Sequence, residues 1–298
     1  MKNNFSSVAI GTFDGVHLGH KKLIERAVLS AKQKGFESII IALDKPMKSH
    51  SGVLSLAHEK IEQISNLLPD KIILLSIDSD IFHQTAEEFL KGFLIKGLNA
   101  KEIVCGYDFA FGKDRQGDIK WLKQNAQKYK IDVNLIKPFK VSGNIVSASG
   151  IRKFIESSNI EATNEMLGRP FSFSGKQFSD LGLGKELGFP TINLRVEEEK
   201  LLPKGVFVAI AQQKTRVYGA VVNLGVRPTL GQNSIFTPEV HLLNFNKTRT
   251  FSKTHISLLR YIRPEKKFNS LDELKQQIAK DKKTAERFFQ MGAGRAAK

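Results

Sequence analysis

Two histidines, His17 and His20, lie in a glycine-rich segment that reads GTFDGVHLGH from Gly11 onward. Residues three apart share one face of a helix, so both imidazoles can point at the same oxygen atoms. Glycines allow the backbone to approach a ligand closely, and the N–H groups at a helix start attract phosphate. Imidazoles placed there can donate hydrogen bonds to charge that develops on a transferred phosphate. The segment therefore predicts a phosphate-handling site, although two histidines without these glycines would more often only cap or pack a helix.

Two further segments of the first half carry candidate chemistry. Residues 106–113 (GYDFAFGK) follow a predicted strand and place Asp108 between aromatic residues. Residues 147–152 (SASGIR) begin a predicted helix with two hydroxyls and Arg152. Hydroxyls at a helix start and a nearby arginine suit a phosphate chain, and the same serines would also serve as ordinary helix caps.

The second half contains another glycine-rich segment, residues 181–193 (LGLGKELGFPTIN). Its glycines and Lys185 suit a loop whose N–H groups cradle phosphates, although the pattern is not GxxxxGK[ST] and a plain surface turn is the alternative. Thr191 and Asn193 alternate on a predicted strand, so they share one face, and their oxygens are hard ligands suited to Mg²⁺ and its water shell. Glu239 is the lone acidic residue between positions 201 and 264. A carboxylate on an apolar strand can accept the proton of an attacking hydroxyl, unless it is simply solvated.

The elements around these motifs indicate two domains. In the first half, continuous apolar strands alternate with helices, which predicts a parallel sheet covered on both faces. These strands are predicted over 7–12, 37–43, 71–77, 102–106 and 131–136, and the helices over 17–34, 57–68, 85–96 and 116–129. After about residue 158, a short helix over 160–167 leads into β-rich sequence, which predicts a small antiparallel barrel. The barrel strands are predicted over 171–178, 205–213, 216–224, 236–245 and 254–262, before a final helix over 271–289. We therefore expect an α/β domain over 1–158 and a barrel with a C-terminal helix over 159–298.

Composition narrows the class of protein. The 298 residues are 41% hydrophobic and 26% charged, which excludes disorder as the main state. One cysteine cannot form an intramolecular disulfide, so a reducing cytoplasm is expected. No apolar run reaches the roughly 18 residues of a membrane span, and the N-terminus has no signal core. The net charge of +16 is compatible with nucleic acid, a membrane surface or small polyanions such as ATP.

The basic excess is concentrated in the last third of the chain and not in the motifs. Residues 201–298 hold 18 basic and 6 acidic residues, whereas the GTFDGVHLGH segment holds neither lysine nor arginine. We interpret the excess as a solvated surface that can steer anionic ligands at low salt.

Taken together, GTFDGVHLGH, GYDFAFGKDRQG and SASGIR resemble the adenylyltransferase module of the bacterial bifunctional riboflavin kinase/FAD synthetase family. LGKELGFPTINL, NLGVRPTLG, PEVHLLNF and LLRYIRPEKKF resemble its riboflavin kinase module, in the same order and spacing. The resemblance covers about residues 7–289. It implies a Rossmann-like nucleotidyltransferase domain followed by a kinase barrel. Two segments differ from the family pattern: SSTxIR reads SASGIR, and TFDPHP reads ALDKPM, which leaves the role of Asp44 open.

The resemblance implies that riboflavin is phosphorylated by ATP to FMN, and that FMN is adenylylated by a second ATP to FAD and pyrophosphate, with Mg²⁺ accompanying ATP. It implies catalytic roles for His17, His20 and Glu239. Binding roles for ATP or phosphate fall on Gly11, Phe13, Asp14, Gly19, Ser147, Ser149, Arg152, Gly182, Gly184, Lys185, Gly188, Thr191 and Asn193. Flavin contacts fall on Asp108, Phe109, Phe111 and Arg263, and metal contacts on Thr191 and Asn193.

Three alternatives stay open at this point. A tRNA-handling nucleotidyltransferase or synthetase-like protein would share the HxGH motif, but a late lysine-rich KMSKS-like loop is missing from the sequence. A single-activity enzyme with a decayed adenylyltransferase module would explain SASGIR and ALDKPM. A non-enzymatic nucleic-acid-binding protein is favoured by the charge alone. We expect small-molecule substrates, no nucleic-acid partner and no membrane, and the patterns do not specify an oligomeric state.

Overall fold

The computed structural model describes residues 4–46, 52–178, 189–227, 235–245 and 253–292. The chain divides into a first unit, Met1–Ala148, and a second unit, Ser149–Lys298. The boundary that the sequence predicts, residue 158, lies just past the helix that begins at this division, α6 (Ala148–Glu156).

The first unit is built on a five-stranded sheet in which every pair is parallel, in the order β3-β2-β1-β4-β5. Its strands are β1 (Ser6–Gly11), β2 (Glu37–Leu43), β3 (Lys71–Leu75), β4 (Ala100–Gly106) and β5 (Asp132–Ile136). Its helices are α1 (Leu18–Lys34), α2 (Ala57–Ser65), α3 (Asp80–His83), α4 (Ala86–Glu88) and α5 (Ile119–Lys128). A hairpin, β6 (Lys140–Val141) and β7 (Asn144–Ile145), follows the sheet.

Apolar side chains cover both faces of this sheet. Val8 and Ile10 belong to one buried cluster, whereas Ala9, between them on β1, belongs to a second cluster with Ile24 of α1. Successive side chains of a strand point to opposite faces, so the two clusters lie on opposite sides of the sheet. The predicted parallel sheet with two covered faces is confirmed.

The helix predicted over 85–96 is only partly α-helical. Thr85 caps its start as predicted, because its hydroxyl accepts from the Glu88 N–H at 3.2 Å and the Glu88 carboxylate accepts from the Thr85 N–H at 2.8 Å. After Glu88 the chain continues as a π-helix, Phe89–Gly97, so the α-helix prediction is wrong there. Phe89 and Leu94, five residues apart, are both buried, a spacing that fits the i→i+5 hydrogen bonds of a π-helix.

The second unit is a closed six-stranded barrel with antiparallel neighbours in the order β10-β11-β12-β9-β8-β13. The strands are β8 (Phe171–Phe178), β9 (Thr191–Arg195), β10 (Gly205–Gln213), β11 (Arg216–Arg227), β12 (Ile235–Leu242) and β13 (Thr254–Arg263). The helix α7 (Ile160–Leu167) precedes the barrel, and α8 (Leu271–Gln290) follows it. The predicted barrel with its C-terminal helix is confirmed.

The two helices pack against the barrel through specific contacts. The Asn164 side chain of α7 donates to the Leu258 carbonyl at 2.9 Å and accepts from the Phe171 N–H at 2.7 Å. Ala285 of α8 is buried in a cluster with Val206, Val208 and other side chains of the strands. Within the described ranges, no helix is both long enough and apolar enough to cross a membrane.

Candidate active sites

The predicted nucleotide-handling segments of the first unit meet at one edge of the sheet. The GTFDGVHLGH segment follows β1, and the GYDFAFG segment follows the neighbouring strand β4. The chain runs from β1 to β2 on one side, while β4 pairs with β1 on the other, so the order of strands reverses at this point. Ligands of open α/β sheets bind in the crevice that such a reversal leaves outside the carboxyl ends of the strands.

The loop between β1 and α1 is held in a constrained conformation. Phe13 has φ 46°, Gly15 φ 80° and Val16 φ 37°, and the left-handed region is costly for Phe and Val. The Asp14 carboxylate anchors the loop, since one of its oxygens accepts from the Leu54 N–H at 2.9 Å and from the Ser55 N–H at 3.0 Å.

Asp14 is itself 1% exposed. A buried carboxylate that already accepts from the backbone suits positioning of the loop better than contact with a phosphate, which carries charge of the same sign.

His17 is the N-cap of α1, and its ring Nδ1 accepts from the His20 N–H at 3.2 Å. Because Nδ1 is an acceptor, the neutral imidazole carries its proton on Nε2, which is then a donor. The two imidazole rings stack with centroids 3.5 Å apart and 15° between their planes, and Phe13 meets His20 edge to face at 5.2 Å. The shared helix face predicted for the two histidines is therefore realised as a stacked pair at the start of α1.

Two glycines of this segment make room for those rings. A Cβ at Gly11 would lie 3.1 Å from the Phe13 ring, and a Cβ at Gly19 would lie 3.2 Å from the His17 ring. The sequence suggests that these glycines admit a ligand, whereas the contacts show that they admit the side chains that shape the site.

The candidate flavin contacts after β4 differ in accessibility. Asp108 and Phe109 follow the carboxyl end of β4. Asp108 is exposed, and Phe109 is partly buried. Phe111 is only 8% exposed, stacks on Phe109 at 5.3 Å and meets Trp121 edge to face at 5.7 Å. Phe111 is thus part of the core that supports Phe109. Little of its ring surface is left exposed for direct contact with a flavin.

The predicted phosphate-binding residues of SASGIR are divided between the two units. Ser147 directly precedes α6 at the end of the first unit, while Ser149 and Arg152 belong to the first two turns of α6 in the second unit. Ser149 is exposed, and Arg152 is 6% exposed. A helix begins at this segment, as the sequence predicts.

Sequence reasoning missed Lys60, which is 1% exposed on α2. Its ammonium donates to the Leu43 carbonyl at the end of β2, and the Asp44 carbonyl lies 3.4 Å away. Burial lowers the pKa of Lys60, and the carboxylates of Asp14 and Asp44 act in the opposite direction. Lys60 therefore ties α2 to the carboxyl edge of the sheet, beside the residue that anchors the β1–α1 loop. The only sequence signal is that Lys60 shares a helix face with Ile64, four residues on.

Replacing Lys60 by methionine is expected to destabilise the first unit by about 1–3 kcal/mol, because carbonyls at the end of β2 lose their buried donor. Urea unfolding followed by the fluorescence of Trp121 measures this, since Trp121 is the single tryptophan and lies in the first unit. The exposed Lys32→Met change on α1 is the matched control and should stay within about 0.5 kcal/mol of wild type. Equal midpoints for the two variants would refute the anchoring role of Lys60.

In the second unit, one row of paired residues crosses five strands of the barrel. Arg263 of β13 pairs with Val206 of β10, which pairs with Asn223 of β11. Asn223 pairs with Glu239 of β12, and Glu239 pairs with Asn193 of β9. Directly paired residues of antiparallel strands project from the same face of a sheet. The row therefore brings three predicted residues together and adds Asn223, the first residue of the NLGVRPTLG segment, to which the sequence analysis assigns no role.

A cavity of about 120 Å³ opens along this row, between the barrel and α8. Among the residues that line it are Thr191, Asn223, Glu239, His241, Arg263 and Asp281. Asn193 is 7% exposed and is not part of the lining. The predicted residues Thr191, Glu239 and Arg263 thus share one cavity. The predicted phosphate loop, with Gly182, Gly184, Lys185 and Gly188, lies outside the described residues.

The guanidinium of Arg263 is engaged by a carboxylate of α8. Its Nε lies 3.1 and 3.0 Å from the two Asp281 carboxylate oxygens, and a terminal nitrogen donates to one of them at 2.8 Å. Asp281 is 3% exposed and also accepts from the Gln277 side chain at 2.9 Å. A bidentate pair of this kind fixes the guanidinium plane. Arg263 therefore forms a rigid wall of the cavity, with its cation largely neutralised toward α8.

Oxygen donors lie at and beside the barrel cavity, since Thr191 and Glu239 line it and Asn193 is paired with Glu239. Among the described residues, no group of three or more His, Cys, Asp and Glu side chains is placed to hold a metal ion. The Thr191 hydroxyl, the Asn193 amide and the Glu239 carboxylate are hard ligands, which fit a Mg²⁺ ion that arrives on a nucleotide and keeps most of its water. The two sites together define a two-module transferase: a parallel α/β sheet with an HxGH helix start, and a barrel with a carboxylate beside hydroxyl and amide groups.

Comparison with known proteins assigns the family. A family model for FAD synthetase matches residues 1–150, and one for riboflavin kinase matches residues 167–289. The chain is 33% identical to the bifunctional riboflavin kinase/FMN adenylyltransferase of Buchnera aphidicola subsp. Schizaphis graminum, over 97% of this chain and 96% of that protein. It is 30% identical to the proteins of the same name from Bacillus subtilis and Escherichia coli strain K12, each over 95% of this chain and 92% of theirs. The chain belongs to the family of bifunctional riboflavin kinase/FMN adenylyltransferases.

A solved structure supports the same fold. The crystal structure described as a macrolide-efflux protein from Streptococcus pneumoniae has a TM-score of 0.85 to this chain. It covers 96% of this chain and 97% of its own, at 24% sequence identity. This likeness extends over both units and concerns the fold alone.

Proposed function

We propose that this chain phosphorylates riboflavin to FMN in the barrel and adenylylates FMN to FAD at the HxGH site of the first unit, with ATP as the donor in both reactions. The observation that carries the proposal is the row across the barrel, in which Glu239 lies between Asn223 and Asn193 beside a cavity. The row places the Glu239 carboxylate at the wall of the cavity, where a general base for a bound hydroxyl group is needed.

In the kinase reaction, the Glu239 carboxylate accepts the proton of the ribityl 5′-hydroxyl of riboflavin. The hydroxyl oxygen forms a bond to the γ-phosphorus of ATP, the bond from that phosphorus to the bridging oxygen breaks, and ADP leaves. Such transfers depend mainly on positioning and charge neutralisation. Thr191 and Asn193 would hold Mg²⁺ on the ATP phosphates, where the ion neutralises charge. Gly182, Gly184, Lys185 and Gly188 are proposed to cover the same phosphates.

In the adenylyltransferase reaction, a phosphate oxygen of FMN attacks the α-phosphorus of a second ATP, and pyrophosphate leaves. The hydrogen bond at Nδ1 leaves the proton of His17 on Nε2, and this N–H is proposed to stabilise charge on the phosphates. We assign the same role to His20 and to Arg152, with Ser147 and Ser149 as hydroxyl donors. Gly11, Phe13, Asp14 and Gly19 shape this site.

The flavin is proposed to contact Asp108 and Phe109 in the first unit, with Phe111 packed behind Phe109. In the second unit it is proposed to lie against the wall that Arg263 forms. No covalent enzyme intermediate is part of either reaction. Cys105, the single cysteine, is fully buried, and burial raises the pKa of its thiol to about 12, so it stays protonated. Substrates are small molecules, and we expect a cytoplasmic enzyme with no nucleic-acid partner.

The test is to incubate the purified chain with riboflavin, ATP and Mg²⁺ and to separate the flavins by chromatography. FMN and FAD are both expected. FMN without FAD would show that the first unit has lost its activity, as a decayed module with the altered SASGIR segment predicts. If neither FMN nor FAD were formed, the proposal would be overturned. Omitting Mg²⁺ with a chelator present should stop both products, which tests the metal requirement separately.

A further inference from the structure

His241 links two strands of the barrel at the point where their pairing ends. The ladder between β12 and β9 consists of three pairs and finishes at His241 opposite Thr191. Beyond that pair, the His241 side chain continues the connection, because its Nδ1 lies 3.1 Å from the Pro190 carbonyl oxygen. Pro190 has no N–H of its own, so a carbonyl is the one backbone hydrogen-bonding group that it offers. His241 therefore contacts the start of β9 twice, through its pairing with Thr191 and through its side chain at Pro190.

The hydrogen bond fixes the form of the imidazole. A carbonyl oxygen only accepts, so Nδ1 must carry the proton and donate. In the neutral ring the other nitrogen, Nε2, then has a lone pair and no proton. Nε2 is buried and has no hydrogen-bond partner within the described residues.

The unpartnered nitrogen argues against a purely structural role for this histidine. A buried polar atom without a partner destabilises the fold, and an aromatic or aliphatic side chain would avoid that penalty. The ring is 8% exposed and meets the Phe189 ring edge to face at 5.8 Å, so a phenylalanine would satisfy the packing. What the histidine adds to that packing is the Nδ1 donor to Pro190.

We propose that His241 is a positioning residue of the kinase site, which holds Thr191 in register through the carbonyl of Pro190. Thr191 and His241 both line the cavity beside Glu239, so a shift of Thr191 moves a ligand of the ATP–Mg²⁺ complex relative to the base. His241 itself takes no proton from the substrate. The inference rests on the proposed kinase reaction, since Thr191 needs a fixed position only if it contacts the nucleotide.

Three substitutions separate the donor from the ring. His241→Asn keeps an N–H donor on the atom next to Cγ, where Nδ1 stands, and is expected to remain within a few-fold of wild type. His241→Gln moves the donor one atom further along the side chain, and His241→Phe keeps the ring but removes the donor. Both are expected to lower kcat/KM for ATP about 10- to 100-fold, as loss of a group that orients a ligand typically does. The change should appear mainly in the KM for ATP, with the KM for riboflavin little altered.

Two controls accompany the His241 variants. FAD formation from added FMN, catalysed by the first unit, reports whether the chain is folded and active. His255→Gln, on β13, changes a partly exposed barrel histidine that bonds Ser174 and should leave the KM for ATP unchanged. A phenylalanine variant with wild-type KM for ATP would overturn the proposal, because packing alone would then suffice. Equal losses for Asn and Phe would overturn it too. A wild-type chain that makes no FMN would instead refute the proposed function.

Discussion

Glu239→Gln is expected to lower the rate of FMN formation from riboflavin by about 10²- to 10⁴-fold, the contribution of a positioned general base. Glutamine keeps the size of the side chain and its place between Asn223 and Asn193, but its amide cannot accept the substrate proton. The loss should therefore fall on kcat. Binding of riboflavin, followed by quenching of flavin fluorescence, should remain close to wild type.

The same chain provides the internal control. FAD formation from supplied FMN depends on the first unit and is expected to be unchanged in Glu239→Gln. The exposed Glu198→Gln change in the second unit is the matched variant for loss of one carboxylate, and both activities should survive it. Glu265 also lines the cavity and is the rival base. If Glu265→Gln stopped FMN formation while Glu239→Gln did not, the assignment of the base would be wrong.

The sequence was sufficient to predict the fold because the relevant patterns are local. Continuous apolar strands such as Glu37–Leu43 between helices indicate a parallel sheet, and alternating strands after residue 170 indicate a barrel. The motifs also named His17, Thr191 and Glu239 as candidates, since each is defined by neighbours in the chain. The π-helix Phe89–Gly97 was missed, because its apolar spacing is also compatible with an α-helix.

The site residues that the motifs do not predict depend on strand register and on packing between elements that are distant in the sequence. Asn223 becomes a site residue only through its pairing with Glu239, and strand register cannot be counted from one sequence. Asp281 reaches Arg263 only because α8 lies against the barrel. Lys60 reaches the end of β2 from α2, seventeen residues from Leu43 in the chain. None of these contacts leaves a short-range pattern.

Contacts between distant elements also add roles to residues that the motifs predict. The Asp14 carboxylate, predicted to contact phosphate, accepts from the N–H groups of Leu54 and Ser55, about forty residues along the chain. Phe111, predicted to contact flavin, packs against Phe89 of the π-helix and Trp121 of α5. A motif identifies residues that matter to a site. Whether they touch the ligand or support those that do depends on three-dimensional neighbours.

The second large effect is expected for His17→Asn, which should lower FAD formation from FMN by about 10²- to 10³-fold. The imidazole has one observed and one proposed role: its Nδ1 caps α1 by accepting from the His20 N–H, and its Nε2–H is proposed to donate to phosphate. Asparagine is a favourable N-cap residue, because its side-chain oxygen can accept the same N–H. The substitution therefore removes the donor while it retains the cap.

Comparison with His17→Ala separates the two roles. Alanine loses both, so it should lower FAD formation at least as far and should also reduce the stability of the first unit by about 1 kcal/mol, the typical value of an N-cap. Urea unfolding followed by Trp121 fluorescence should show this decrease for alanine and little change for asparagine. The exposed His58→Asn change on α2 controls for loss of an imidazole. FMN formation should be unaffected in all three variants. FAD formation that persists in His17→Asn would show that the cap, and not the Nε2–H donor, is what the adenylyltransferase site requires of this histidine.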